Sequence, residues 1–380
     1  MVEQLITETR PGDRTAAVHP QILATRGVLP PYGYPQQQLT EAFAEFVGLE
    51  GPRRKLLERV HGNAGVRTRR LALPIEEYAG LTDFGATNDA FLRAGTQLAE
   101  QAIREALAAA RVSPREVDVI IAASSTGVSV PSLDARIAVG LGLRPDVVRL
   151  PVVGLGCAAG AGGVARLRDF LLGRPGRIGV LVTVELCSLT LQRGDTSTAN
   201  LIASGLFGDG AAAVVMRGPD PDAGFADVPD EADDHQGPVV VGTRSRLYPH
   251  TERAMGWDVS SSGLQIVLGA EIPELVRSYL ADDVDGFLSE QGLSRDAIGW
   301  WVCHPGGPKV IEAIEETLKL TDGELAMTWD SLSRIGNISS SSVLHVLTDT
   351  LDQRRPEPGS YGLMMAMGPG FALEQVLLRA

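Results

Sequence analysis

One cysteine, one histidine and one asparagine are of the types that covalent attack on a carbonyl group needs. Cys157 lies in Gly154–Gly163, GLGCAAGAGG, among residues no larger than leucine. It should open a helix, whose dipole and free N–H groups favour the thiolate. His304 follows the apolar run GWWVC (299–303), and a neighbouring imidazolium would lower the thiol pKa further. Asn337, in GNISSSSV (336–343), stands at another helix start. Its amide, with His304 Nε2 as a second donor, could polarise a carbonyl oxygen or stabilise an enolate. Each residue alone has a plainer reading: a packing cysteine, a structural or exposed histidine, an asparagine capping a helix near Ser340. Their joint placement within a repeat is what gives them a common site.

The repeat is carried by alternating segments. VDVIIAASS (117–125), IGVLVTV (178–184), AAAVVM (211–216), PVVVGTR (238–244), GWWVC and YGLMMAM (361–367) read as strands, while 88–110 and 271–291 carry a helical period. The pattern predicts an α/β protein. The run 112–118 leads into one strand as 293–299 leads into another, with Ser113 over Ser294 at an offset of 294 − 113 = 181. The segments at Cys157 and Asn337 repeat at 337 − 157 = 180, and Gly208-Asp209-Gly210 resembles Gly368-Pro369-Gly370 at 160. Two duplicated halves are expected, 1–217 carrying the cysteine and 238–380 carrying the histidine and asparagine. The Asp-, Pro- and Gly-rich stretch 218–237 between them reads as a linker or loop.

With 380 residues, 44% of them hydrophobic, the chain is long enough for a large core. A net charge of −13 argues against nucleic acid as the main partner, despite a basic cluster of Arg53, Arg54, Lys55, Arg59, Arg67, Arg69 and Arg70. Cys157, Cys187 and Cys303 match no metal spacing and are expected as free thiols in a reducing cytoplasm, with no metal. No secretion signal opens the chain, and no apolar run approaches the ~20 residues that span a bilayer, so no stable membrane insertion is expected.

In order, GLGCAAG, GLFGDGAAAVV (205–215), HPGGPKVIE (304–312), GNISSSSV and GPGF (368–371) resemble the type III polyketide synthases, the chalcone-synthase-like enzymes of the thiolase superfamily. The likeness runs from about residue 18 onward. It implies a homodimer of thiolase-like subunits in an αβαβα layering, with CoA thioesters as substrates and no cofactor. It also implies that Cys157 is acylated by a CoA-linked starter. His304 and Asn337 would bind the thioester carbonyl of malonyl-CoA, promote decarboxylation and stabilise the attacking carbanion. Both donate to developing negative charge, and neither must remove a carbon-bound proton. Phe207 matches the gatekeeper phenylalanine between CoA tunnel and cavity, and Ile266 replaces a second family phenylalanine.

The stretches 61–74, 129–136, 184–193 and 255–263 are most similar to bacterial alkylresorcinol and alkylpyrone synthases of phenolic-lipid pathways, and less closely to tetrahydroxynaphthalene synthases. A long-chain fatty acyl-CoA starter is therefore expected, with closure to a resorcinol or a pyrone left open. The resemblance places Ser125, Val130, Cys187 and Thr190 along an open cavity, and Trp257 where plant relatives carry glycine. It also assigns Gly368, Pro369, Gly370 and Phe371 to the pocket. Glu185, Ser125 and Ser339 match positions that hold a hydrolytic water in aldol-type relatives. Lys55 and Arg59 match contacts to CoA phosphates.

Four other readings compete. An initiating ketoacyl-carrier-protein synthase uses the same three residue types, but HPGGPK and GPGF favour the polyketide synthase. A tetrahydroxynaphthalene-type synthase using malonyl-CoA only is the alternative within the family. A papain-like hydrolase also orders Cys, His and Asn, yet its local cysteine signature is missing. A non-catalytic acyl-binding protein would be expected to lack one of the three.

Overall fold

A computed structural model of the protein describes residues 19–219 and 237–380. Residues 220–236 of the acidic junction lie outside them. The first half comprises β1 (Gln21–Val28), β2 (Tyr32–Pro35), α1 (Gln36–Val47), α2 (Gly51–Gly62), β3 (Thr68–Leu71), α3 (Phe84–Ala110), β4 (Val117–Ala123), α4 (Leu133–Leu141), β5 (Val148–Val152), α5 (Ala159–Leu172), β6 (Ile178–Leu186), α6 (Thr198–Leu206) and β7 (Asp209–Arg217). The second comprises β8 (Val239–Leu247), β9 (Met255–Ser260), β10 (Gly263–Leu268), α7 (Ile272–Glu290), β11 (Ile298–Cys303), α8 (Pro308–Leu318), α9 (Ala326–Ile335), α10 (Ser342–Gln353), β12 (Tyr361–Gly368) and β13 (Ala372–Arg379).

Hydrogen bonding orders nine of these strands β11-β12-β13-β8-β1-β7-β6-β4-β5. The order is mirrored about the join between β8 and β1. On one side β4 runs parallel to β6, β6 antiparallel to β7, and β7 antiparallel to β1. On the other, β11 runs parallel to β12, β12 antiparallel to β13, and β13 antiparallel to β8. Local entries repeat too. The 3-10 turn Pro114–Glu116, capped by Ser113, leads into β4, and Arg295–Ala297 leads into β11.

Side chains alternate across strands, which fixes the layers. In β4, Ile120 and Ala122 join the core built on α3 and α4, whereas Val119 and Ile121 face α5 and α10. In β11, Trp301 and Cys303 pack with α7 and α8, while Trp300 and Val302 turn to the same middle layer. The outcome is the expected αβαβα arrangement, with α5 and α10 sandwiched between two leaves of sheet. β6 is buried at every residue because helices cover both its faces. The glycines of α5 serve this middle layer. A Cβ at Gly160 would lie 2.4 Å from the Ser340 carbonyl oxygen, so α5 meets the turn before α10 backbone to backbone. Among the described residues no helix is long and apolar enough to cross a membrane, and no group of His, Cys, Asp or Glu could hold a metal ion.

Candidate active site

Cys157 lies in the 3-10 turn Gly156–Ala158, which runs directly into α5. The end of β12 supports that turn. A Cβ at Gly368 would lie 2.4 Å from the Leu155 carbonyl oxygen, and one at Gly156, where φ is +48°, would lie 2.7 Å from Pro369 Cδ. The Cys157 thiol points at Ser339 Oγ, 3.6 Å away. Ser339 opens the turn Ser339–Ser341 that leads into α10, and its φ of +45° aims the preceding residue back at the thiol turn. That preceding segment holds Asn337, whose Oδ1 accepts from the Ser339 N–H at 2.8 Å. Its Nδ2 makes a long bond, 3.5 Å, to the Gly306 carbonyl, and its side chain also interacts with the Cys157 thiol. His304 sits just past β11, with its N–H bonded to the Met365 carbonyl at 3.0 Å. Its ring is buried, and neither ring nitrogen has a hydrogen-bond partner among the described residues. A buried imidazole left this way marks a place where a ligand completes the bonding.

The charges depart from the expectation of a thiolate next to an imidazolium. Burial pushes the Cys157 thiol up to about 12, and the Ser339 hydroxyl and Asn337 amide only partly oppose it. Burial pushes His304 down to about 3. Burial therefore favours the neutral form of each, because desolvation penalises both charged forms. Buried Glu185 is held above the usual carboxylate range by desolvation, although Ser340, Ser125 and Thr126 donate to it. Ser340 donates to Glu185 Oε1 at 2.6 Å, while Ser339 Oγ stands 3.6 Å from the Cys157 thiol.

Five nominated pocket residues do converge. Cys187, Thr190, Phe207, Trp257 and Ile266 enclose, with Arg69, Asn200 and Ala203, a void of about 10 Å³. Trp257 and Ile266 are cross-strand partners in the β9–β10 hairpin and reach it together. That space holds about one water. A larger cavity of about 720 Å³ lies beyond Thr190 and Ile266, with Tyr78, Thr126 and Arg193 in its wall. Val130 lines neither cavity; its side chain is 100% exposed. Phe371 is also outside, packed in the core against Tyr248. Gly368 and Pro369 brace the cysteine turn, and Gly370 borders Leu247. Lys55 and Arg59 lie one turn apart on the exposed face of α2, with no side-chain hydrogen bond among the described residues. Arg69 leaves the basic cluster altogether: it is buried. Sequence reasoning missed Arg69, Thr126 and Ser340. The alternation of Thr68–Leu71, in which Arg69 and Leu71 face inward, was the available signal for the first.

A thiol, an unpartnered imidazole and an oriented amide at the meeting of two mirrored halves define an acyl-transferring thiolase-like site. The chain belongs to the type III polyketide synthases. Residues 240–380 match the family described as "Chalcone and stilbene synthases, C-terminal domain", and residues 54–224 match "FAE1/Type III polyketide synthase-like protein". It is 50% identical over all of its length, and 98% of the relative's, to a 1,3,6,8-tetrahydroxynaphthalene synthase of Streptomyces peucetius subsp. caesius. The solved 1,3,6,8-tetrahydroxynaphthalene synthase of Streptomyces coelicolor A3(2) superposes with a TM-score of 0.86 at 28% identity, covering 94% of this chain and 99% of that one. PKS-I from the brown alga Ectocarpus siliculosus gives 0.87 at 26%, covering 96% and 98%.

Proposed function

We propose that this synthase uses malonyl-CoA both to prime and to extend, releasing a tetrahydroxynaphthalene, rather than starting from a long-chain fatty acyl-CoA. The full-length 50% identity to a tetrahydroxynaphthalene synthase carries this reading. The small void of about 10 Å³ bordered by Phe207 and Trp257 suits a compact starter at that point. In this mechanism Cys157 accepts the first acyl group as a thioester. His304 and the Asn337 Nδ2 group then bind the carbonyl oxygen of an extender malonyl thioester. As carbon dioxide leaves, the electron pair moves onto that oxygen, where two neutral donors stabilise it. The carbanion attacks the Cys157 thioester and the sulfur departs. A neutral His304 suits the role, because it donates a proton bond without demanding charge in a dry site. Lys55 and Arg59, exposed and unbonded, are proposed to hold CoA phosphates.

The chain is also proposed to act as a homodimer. β5 is an edge strand whose Val148 and Leu150 are exposed, and Val130, Val139 and Val153 are exposed apolar residues as well. An unpaired apolar edge of this kind is normally covered. The reading is tested by supplying malonyl-CoA and no other acyl-CoA. A tetrahydroxynaphthalene is expected; a product formed only when a fatty acyl-CoA is added would refute it.

A further inference from the structure

Arg69, on β3, is 3% exposed and borders the void beside Cys187, Phe207, Trp257 and Ile266. Its Nε donates to Gln36 Oε1 at 3.0 Å and its Nη1 to the Phe207 carbonyl at 2.7 Å. Its Nη2 has no hydrogen-bond partner, and the guanidinium makes no ion pair, among the described residues. Asp209 acts on it only from a distance. The Asp209 oxygens are occupied by the Ala72 N–H, the Ser188 N–H and the Ser188 hydroxyl. A buried, unpaired guanidinium is expensive, and the expense is consistent with a site awaiting an anion. The Arg69 side chain packs against the turn that carries Asn337: a Cβ at Gly336 would lie 3.1 Å from Arg69 Cδ, and Ser339 of the same turn stands 3.6 Å from the Cys157 thiol.

We propose that Arg69 binds the free carboxylate of a malonyl group carried on Cys157, and so selects carboxylate-bearing starters. The inference rests on the malonyl-primed reading above. In the priming step the Cys157 sulfur bonds to the malonyl carbonyl carbon and the CoA sulfur leaves. The thiol proton ends on CoA, and the distal carboxylate keeps its charge. That carboxylate finds an unbonded Nη2 donor and a space the size of one oxygen. A starter ending in methyl would instead leave the guanidinium dry and unpaired, which is how sites built on hydrogen bonds reject apolar analogues.

The full chain carrying His304→Gln, to slow decarboxylation, is given equal malonyl-CoA and butanoyl-CoA, and Cys157 adducts are weighed by intact-protein mass spectrometry. Malonyl loading is expected to exceed butanoyl loading by about tenfold or more. Adding Arg69→Met should abolish that preference with butanoyl loading little changed, and Arg69→Lys should keep part of it. Equal loading of both starters with Arg69 present, or an equal fall of both in Arg69→Met, overturns the proposal. If Arg69→Met does not fold, a series of malonyl, succinyl, butanoyl and hexanoyl starters on the chain retaining Arg69 decides. Carboxylates must load faster than neutral chains of similar length. Turnover of malonyl-CoA alone by the unmodified chain is measured separately. A chain that prefers malonyl loading but forms no product refutes the proposed function and leaves the role of Arg69 standing.

Discussion

The backbones of Phe207 and Asn337 are laced together. The Asn337 N–H bonds to the Leu206 carbonyl and the Gly208 N–H bonds to the Asn337 carbonyl, each at 2.9 Å. The aromatic ring bordering the void and the Asn337 amide are therefore one mechanical unit, so displacement of either segment reaches both.

Removing the donors should separate loading from decarboxylation. His304→Ala and Asn337→Ala are each expected to keep acylation of Cys157, to differing degrees, and to lose carbon dioxide release from malonyl-CoA by about 10²-fold or more. Labelled carbon dioxide capture reads one step and intact-protein mass the other. Normal release in both variants contradicts the assignment.

Trp257→Gly should enlarge the void that Trp257 and Ile266 now fill from the β9–β10 hairpin. Acceptance of medium-chain acyl-CoA starters is expected to rise by about tenfold or more, at the scale of several methylene groups newly accommodated. Product profiling across starter lengths checks it, and an unchanged starter range would place the selecting wall elsewhere.

Gly160→Ala should destabilise the fold by about 1–3 kcal/mol, because the added methyl meets the Ser340 carbonyl oxygen at 2.4 Å. The clash presses on the turn holding Ser339, so activity should fall as well. Urea unfolding alongside turnover measures both effects.

Acid should weaken the protein in a defined window. Burial holds His61 and His304 down to about 3 and His345 to about 4. Between these values and the ordinary histidine value the unfolded chain binds more protons, so stability is full above about pH 6.5 and falls as pH drops toward 4. Asp209, pushed up to about 6, and Glu185, also raised, act in the opposite sense. The buried histidines and the buried carboxylates thus pull stability in opposite directions as pH falls, and the histidine contribution is the one that acid removes. His345→Gln should flatten that slope in urea titrations run between pH 6 and 5; an unaltered slope would show that His345 titrates normally.

Long periodic segments were legible because burial dictates them. β4, β6, β7, β8, β11 and β12 and the helices α3 and α7 fall within a few residues of the apolar runs that announce them. The mirrored strand order follows from repeats visible in sequence. What escaped was set by turn geometry. Whether Ser339 or Ser340 faces Glu185 depends on a φ of +45° that no residue type specifies. Arg69 looked like part of a solvated charge run because neighbouring arginines are exposed, and only its place in a short strand turns it inward. Around Cys157 the helix start is legible in sequence, but the depth of burial that pushes its thiol up is not.

The most direct test supplies uniformly carbon-13-labelled malonyl-CoA together with an excess of unlabelled long-chain acyl-CoA, with the Cys157→Ala variant as the blank. Mass spectrometry of the product should show every carbon labelled and no product from the blank. An unlabelled alkyl segment in the product would contradict the claim that malonyl units prime this enzyme.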